Sequence, residues 1–327
     1  MSLLVVTAHF DVARTLRRHT RRALAAYAAD ADRVVTVSTS GLNDQSLERL
    51  PPGVEFHTRP NFGYDFYSYK WALDLVGDYQ DYDQILIAND SFVGPTLPVR
   101  RIVTSRAAQQ VDLMGMTLSH HHHDHVQSFF MLANSYVVRS NAFRRFWADM
   151  EPISDRTTVI HRYEVGFSRV IHEAGFTLGS YFRPTDRELQ LAAHRYRWHK
   201  EHRYDWQNPG RTVAETREVD LAARPWNPGL AYADRVLLGD RLPLLKIDAL
   251  RFDPYALGAD RLLTACEAQK PAAFSGVRDF LAATAGEYPV RAGEENVPVD
   301  DADLTSTGVG YCSDPAYLRV HPTEEQP

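Results

Sequence analysis

The chain is poor in cysteine. Cys266 and Cys312 are the two thiols in 327 residues, and neither sits in a spaced motif. That argues against a disulfide-framed secreted domain and against a cysteine zinc site, and it suits a reducing compartment. No apolar run approaches the roughly 20 residues needed to span a bilayer. Positive charge is not in excess either: 36 Lys and Arg face 42 Asp and Glu, for a net charge of −6. Phosphate recognition favours a basic surface, so a general nucleic-acid binder is disfavoured. No charged-then-apolar leader precedes Leu3-Leu4-Val5-Val6, so the expected location is the cytoplasm, with peripheral contact at the inner face of the plasma membrane as an extension. Arg14, Arg17, Arg18, Arg21 and Arg22 form the one basic cluster. It reads as a solvated helix face, or as a patch for anionic lipid.

What is present is an ordinary globular composition, 44% hydrophobic and 24% charged, and a chain long enough to bury a large core. Apolar runs alternate with amphipathic stretches: Leu3–Ala8, a helix over Val12–Ala29, Val34–Ser38, Val54–Thr58, a helix over Asp65–Val76, then Gln84–Ala88. This order predicts an α/β fold with a Rossmann-like, mainly parallel sheet flanked by helices. Val126–Arg139 reads as extended. Phe143, Phe146, Trp147 and Met150 keep helical spacing, as do Phe167, Val170, Ile171 and Ala174, so both stripes are expected in the core. The spacing places a helix over Tyr163–Ala174. Three domains are expected: 1–182; a partly helical region 183–285 packed on it; and a loosely ordered acidic tail, 286–327.

In open parallel sheets ligands gather beyond the carboxyl ends of the strands. Thr7, His9 and Asp11 follow the first run there. Asn61-Phe62-Gly63-Tyr64-Asp65 follows the third, with Gly63 suited to a tight turn and Asp65 to a ligand contact or a helix cap. Lys70 would lie one to two turns into the next helix, facing a phosphate or solvent. Asn89-Asp90-Ser91 ends the fourth run. One carboxylate with an amide and a hydroxyl suits a weakly held divalent cation, Mg²⁺ or Mn²⁺, or simply a turn. Glu164, read at a helix start, is a candidate general base or a favourable first-turn charge. His120-His121-His122-His123-Asp124-His125 invites a zinc-hydrolase reading, but consecutive side chains diverge, and a polar loop is simpler.

Together these segments resemble the rhamnan synthesis F family of bacterial polysaccharide glycosyltransferases. The likeness rests on Asn61 to Asp65, Asn89-Asp90-Ser91, His125-Val126-Gln127-Ser128-Phe129-Phe130, Phe146-Trp147, Glu164 with Ser168, Gly175-Phe176 and Leu242-Pro243-Leu244-Leu245-Lys246, and it covers most of residues 3 to 255. The resemblance implies a GT-A-like fold and transfer of a sugar, often L-rhamnose from a dTDP donor, to a growing glycan or lipid-linked glycan. It makes 1–182 the nucleotide-sugar and catalytic domain and 183–285 an acceptor-side lid. Thr7, His9, Asn61, Gly63, Tyr64, Asp65, Lys70 and Asn89 then stand as donor contacts, Asp90 and Ser91 as metal ligands, and Glu164 as the base of an inverting reaction. His125, Gln127, Ser128 and Lys246 stand as acceptor or phosphate contacts. Tyr64 departs from the Arg of the family's Asn-X-Gly-Arg-Asp pattern. UDP-galactofuranose is a competing donor, and a non-catalytic nucleotide-sugar or glycan-binding subunit is the alternative from another class.

Overall fold

The computed structural model describes residues 1–121, 123–202 and 220–288, the last two before the break by backbone alone. The expected acidic tail falls, from residue 289 onward, outside the described residues. The chain divides into two compact units, Met1–Arg183 and the part from Pro184 onward.

The first unit is a mixed α/β layer structure. The seven strands of its main sheet are β1 (Leu3–His9), β2 (Arg33–Ser38), β3 (Val54–Thr58), β4 (Gln84–Ala88), β5 (Leu113–Gly115), β6 (Phe130–Asn134) and β7 (Leu178–Ser180). They lie in the order β7-β5-β6-β4-β1-β2-β3. All pairings are parallel except those of β6, which runs antiparallel to β4 and β5. The extended run expected over Val126–Arg139 is therefore broken. A short strand, His125–Val126, closes a hairpin with Leu118–Ser119, β6 follows, and Ser135–Val138 turns into a helix capped by Asn134.

The inner parallel strands β1, β2 and β4 are buried on both faces, as sheets covered by helices must be. Leu4, Val6 and Ala8 of β1 join a core on one face with helix α1 absent from it and the later helix Tyr64–Val76 prominent. Helix α1 (Arg18–Asp30) buries His19, Thr20, Ala23, Leu24 and Tyr27. Helix α2 (Tyr64–Val76) buries Phe66, Tyr69, Ala72, Leu73 and Val76. Helix α3 (Asn141–Ala148), capped by Ser140, adds Phe143 and Trp147 to the same core, and helix α4 (Gly166–Glu173) adds Phe167 and Ile171. The expected stripes hold at these positions, but Ala174 is exposed because α4 has ended. Trp147 is the centre of this layer. Its ring stacks on Phe66 with centroids 6.0 Å apart and meets Phe167 at 5.4 Å and Phe143 at 5.9 Å.

One expectation about this region is corrected. Glu164 does not stand at a helix start. Arg156–Val159, Ile160–Val165 and α4 run on without a break, and the middle piece is a π-turn containing Glu164. Asp155 caps the true N-terminus, accepting the Thr158 N–H. The macrodipole argument, which acts over the first turn, does not reach Glu164.

The unit from Pro184 is mainly helical in its described residues, with Asp186–His202, Ala259–Gln269 and Val277–Ala283 its longest helices. A buried charge network sits inside it. Arg195 donates to both carboxylate oxygens of Asp234, at 3.0 and 2.7 Å, and to the Ala231 carbonyl; Arg235 also donates to Asp234. Glu188 receives Arg241 and faces Arg235. Burial opposes ionisation of Asp234, but Arg195 and Arg235 overcome it and hold the carboxyl well below the usual range.

Two stability measurements follow from this packing. Trp147→Ala is expected to cost about 3–5 kcal/mol, the range for emptying a large aromatic site. Asp234→Ala, which removes the carboxylate shared by two buried guanidinium groups, is expected to cost about 3–5 kcal/mol. Urea unfolding of each variant checks both, and a loss under about 1 kcal/mol is the contrary result.

Candidate functional site

Parallel pairing sets the C-terminal ends of β1, β2, β3 and β4 along one edge. Ala88, the last residue of β4, lies opposite Thr7, while Ser38 of β2 lies opposite both His9 and Thr58. Antiparallel β6 begins at the same edge, with Phe130 opposite Ala88. The loops after β3 and β4 and the segment before β6 therefore converge.

The loop after β3 is built around a residue the sequence reading passed over. Arg59 is 2% exposed. It donates to the carbonyls of Pro60 (2.9 Å), Phe62 (2.6 Å) and Tyr64 (2.8 Å) and twice to the Ser68 hydroxyl. Its guanidinium also lies over the Phe62 and Tyr67 rings, 5.2 and 5.4 Å from their centroids. An arginine directly before a Pro-Asn-Phe-Gly turn was the available signal. Within the turn Gly63 has φ +69, and a Cβ there would come within 2.6 Å of the Tyr67 Cβ, so glycine is required. Tyr64 takes a left-handed φ of 53 as well, an uncommon conformation for a side-chain-bearing residue. Its hydroxyl donates to the Ser154 carbonyl at 3.1 Å, and Phe62 and Tyr64 remain exposed at the rim together with Asn61.

Two of the motifs meet directly. Asn89 Nδ2 donates to Asp65 Oδ2 at 2.8 Å, and Asn89 Oδ1 accepts both the N–H and the hydroxyl of Ser91. Asp90 Oδ2 accepts the Phe10 N–H at 2.9 Å, tying the end of β4 to the end of β1. From the third side, Ser128 N–H donates to Glu164 Oε1 at 3.1 Å, and the buried Tyr69 hydroxyl donates to the Ser128 carbonyl at 3.2 Å. Asp65, Glu164 and Asp90, from three elements, all act on Tyr69: after burial, they are the charges that raise its phenol well above the ordinary value. The edge is therefore acidic. Burial pushes Asp90 up to about 8, with Asp65 and Asp11 adding to the shift and the Phe10 N–H opposing it.

Other expected contacts lie elsewhere. Thr7 and His9 are buried within the sheet, where Thr7 donates to Thr36 at 2.8 Å and His9 Nδ1 meets the Ser38 hydroxyl at 2.9 Å. Burial takes His9 down to about 4, so it is neutral at neutral pH. Both support the edge from beneath. Asp11 is buried and paired with Arg17. Lys70 bonds Asp74 one turn on, at 2.9 Å. His125 donates from Nδ1 to the His123 carbonyl (2.8 Å), and Gln127 accepts the Thr117 hydroxyl (2.7 Å); both are buried. Lys246 belongs to the other unit, where it precedes the helix Ile247–Arg251. His120 pairs with Asp124, and His122 lies outside the described residues. Among the described residues no three or more His, Cys, Asp or Glu converge on a metal position.

The model of the family described as rhamnan synthesis protein F matches residues 34–203, a little over half of the chain. The chain belongs to this family. The rhamnan synthesis protein F match runs from β2 into the helix Asp186–His202 and takes in the loops after β3 and β4, Ser128 and Glu164. It identifies the protein with polysaccharide biosynthesis. No curated protein matches the chain. No described helix is long and apolar enough to cross a membrane.

The raised Asp90 has a measurable consequence. Its unfolded value is about 3.9, so between roughly pH 4 and 8 the folded chain holds a proton that the unfolded chain has lost, and stability falls as pH rises through that window. Asp90→Asn removes this effect. The variant is expected to melt with wild type near pH 4 and a few degrees above it beyond about pH 8. Parallel melting curves across that range decide the matter, and a constant offset at all pH values is the contrary outcome.

Proposed function

We propose that this protein is an inverting glycosyltransferase of the GT-A type, moving a sugar from a nucleoside diphosphate donor to a hydroxyl of a growing glycan or lipid-linked glycan. The observation that carries the reading is the convergence at the strand-end edge of Asp65, bonded to Asn89, and Glu164, bonded to the Ser128 segment that the buried Tyr69 also holds. Family membership supports a polysaccharide substrate, and dTDP-L-rhamnose is the favoured donor.

The donor side of the proposal is the loop Asn61–Asp65 with Asn89. Arg59 fixes the loop, and the exposed Phe62 and Tyr64 offer aromatic faces at its rim. An acidic edge repels a diphosphate, so a divalent cation belongs in this reading. The hard carboxylate oxygens of Asp65, and of Asp90 once a cation displaces its proton, suit Mg²⁺ or Mn²⁺. Ser91 is a lesser candidate, because its hydroxyl proton goes to Asn89. Among the described residues no three such ligands converge, so donor oxygens and water would complete the shell. Bound there, the cation neutralises the departing diphosphate.

On the acceptor side Glu164 takes the proton. The acceptor oxygen attacks the anomeric carbon as the bond from that carbon to the diphosphate oxygen breaks, the pair leaving with the diphosphate, and the hydroxyl proton passes to Glu164. Ser128 N–H occupies Oε1, and Oε2 has no protein partner among the described residues. In this proposal the reaction takes place at the cytoplasmic face, with the unit from Pro184 serving the acceptor.

Two measurements test the proposal. Thermal shifts with dTDP-, UDP- and GDP-sugars, each with and without Mn²⁺, are expected to show the largest rise with a dTDP-sugar plus metal. A UDP-galactofuranose optimum replaces the donor. Glu164→Gln is expected to lower transfer by about 100-fold or more while keeping the donor-induced shift. Full transfer by that variant removes Glu164 from the base role. Donor binding without turnover across acceptors favours the non-catalytic subunit, a reading to which Tyr64 in place of arginine lends support.

A further inference from the structure

Glu164 and Ser168 are four residues apart on one helical run and hold the same backbone segment. Glu164 accepts the Ser128 N–H, and the buried Ser168 hydroxyl accepts the Val126 N–H, both at 3.1 Å. Ser128 is gripped from its other side as well. The Tyr69 hydroxyl donates to its carbonyl, and Tyr69 itself is 0% exposed, packed on Phe66 and Trp147 with centroids at 5.6 and 6.4 Å.

We infer that Tyr69 is a positioning residue for sugar transfer: it fixes the Ser128 backbone, which fixes Glu164 Oε1 and so aims Oε2 at the acceptor hydroxyl. The inference rests on the reading of Glu164 as the base. Tyr69 suits the task because its hydroxyl is buried against the Ser128 carbonyl, and burial with Asp65 and Glu164 nearby raises its phenol well above the ordinary value, so it remains a donor. Its position on α2, four residues after Asp65, couples the acceptor-side carboxylate to the same helix that carries the donor loop. A residue acting this way affects the chemical step and leaves donor binding alone.

The test is a double-mutant cycle on the full chain, read as kcat and donor KM for transfer. Tyr69→Phe is expected to lower kcat on the order of 10-fold, with donor KM unchanged within about 2-fold. In a Glu164→Gln background the same substitution is expected to have no further effect, because both act through one carboxylate. Unchanged kcat in a folded Tyr69→Phe variant overturns the inference, and so does a fall that adds fully to that of Glu164→Gln. Full activity in Glu164→Gln alone sinks the base reading and this inference with it, an outcome distinct from the other two. If Tyr69→Phe does not fold, Ser168→Ala loosens the same segment at Val126. The inference then requires a kcat loss that disappears in Glu164→Gln, and an unchanged kcat overturns it.

Discussion

The in-register parallel pairing of β1 with both β2 and β4 is the constraint on which the first unit depends. It makes the polar residues that end each strand neighbours in space, although 24 to 80 residues separate them in the chain. Antiparallel β6 completes the arrangement, because a strand that begins where its neighbours end delivers the residues before it to the same edge. Ser128 reaches the edge in this way. The family match runs across these loops and β6, which ties the conclusion about polysaccharide synthesis to this part of the molecule.

Beneath the edge, an aromatic layer sets the height and tilt of the helices that carry function. Phe66, Tyr69, Phe143, Trp147 and Phe167 pack ring against ring, a geometry that gains from edge-to-face contact beyond burial alone. Helix α2 is held by this layer at Phe66 and Tyr69 and presents Asp65 one turn away. Helix α4 is held at Phe167 and carries Ser168, with Glu164 in the π-turn that leads into it. The acidic groups are thus positioned by residues that carry no charge.

Much of this was legible in the sequence. Apolar runs alternating with amphipathic ones gave the strand and helix order, and the spacing of Phe143, Trp147, Phe167 and Ile171 gave the core. Other features were not legible, for physical reasons. Thr7 and His9 stand at a strand end, but which face they occupy depends on helices placed later in the chain, and both turn inward under α1. Arg59 and Tyr69 act through backbone carbonyls, which every residue has and no motif records. The helix was expected to begin near Tyr163, one turn before the apolar stripe that starts at Phe167. The first turn, Arg156–Val159, is polar on most positions, and its cap at Asp155 lay outside the stripe. The segment Asn89-Asp90-Ser91 read as a ligand set, whereas Asn89 and Ser91 bond largely to each other and to Asp65.

The π-turn over Ile160–Val165 carries a consequence for how this protein can change over evolutionary time. A wide turn holds one more residue than an α-turn needs, and here it separates a first turn anchored by Asp155 from a face that grips Val126 and Ser128. Loss of one residue from this stretch would rotate one anchored end against the other by about 100°. Point substitutions are therefore tolerated on its exposed positions, while its length is not free to drift.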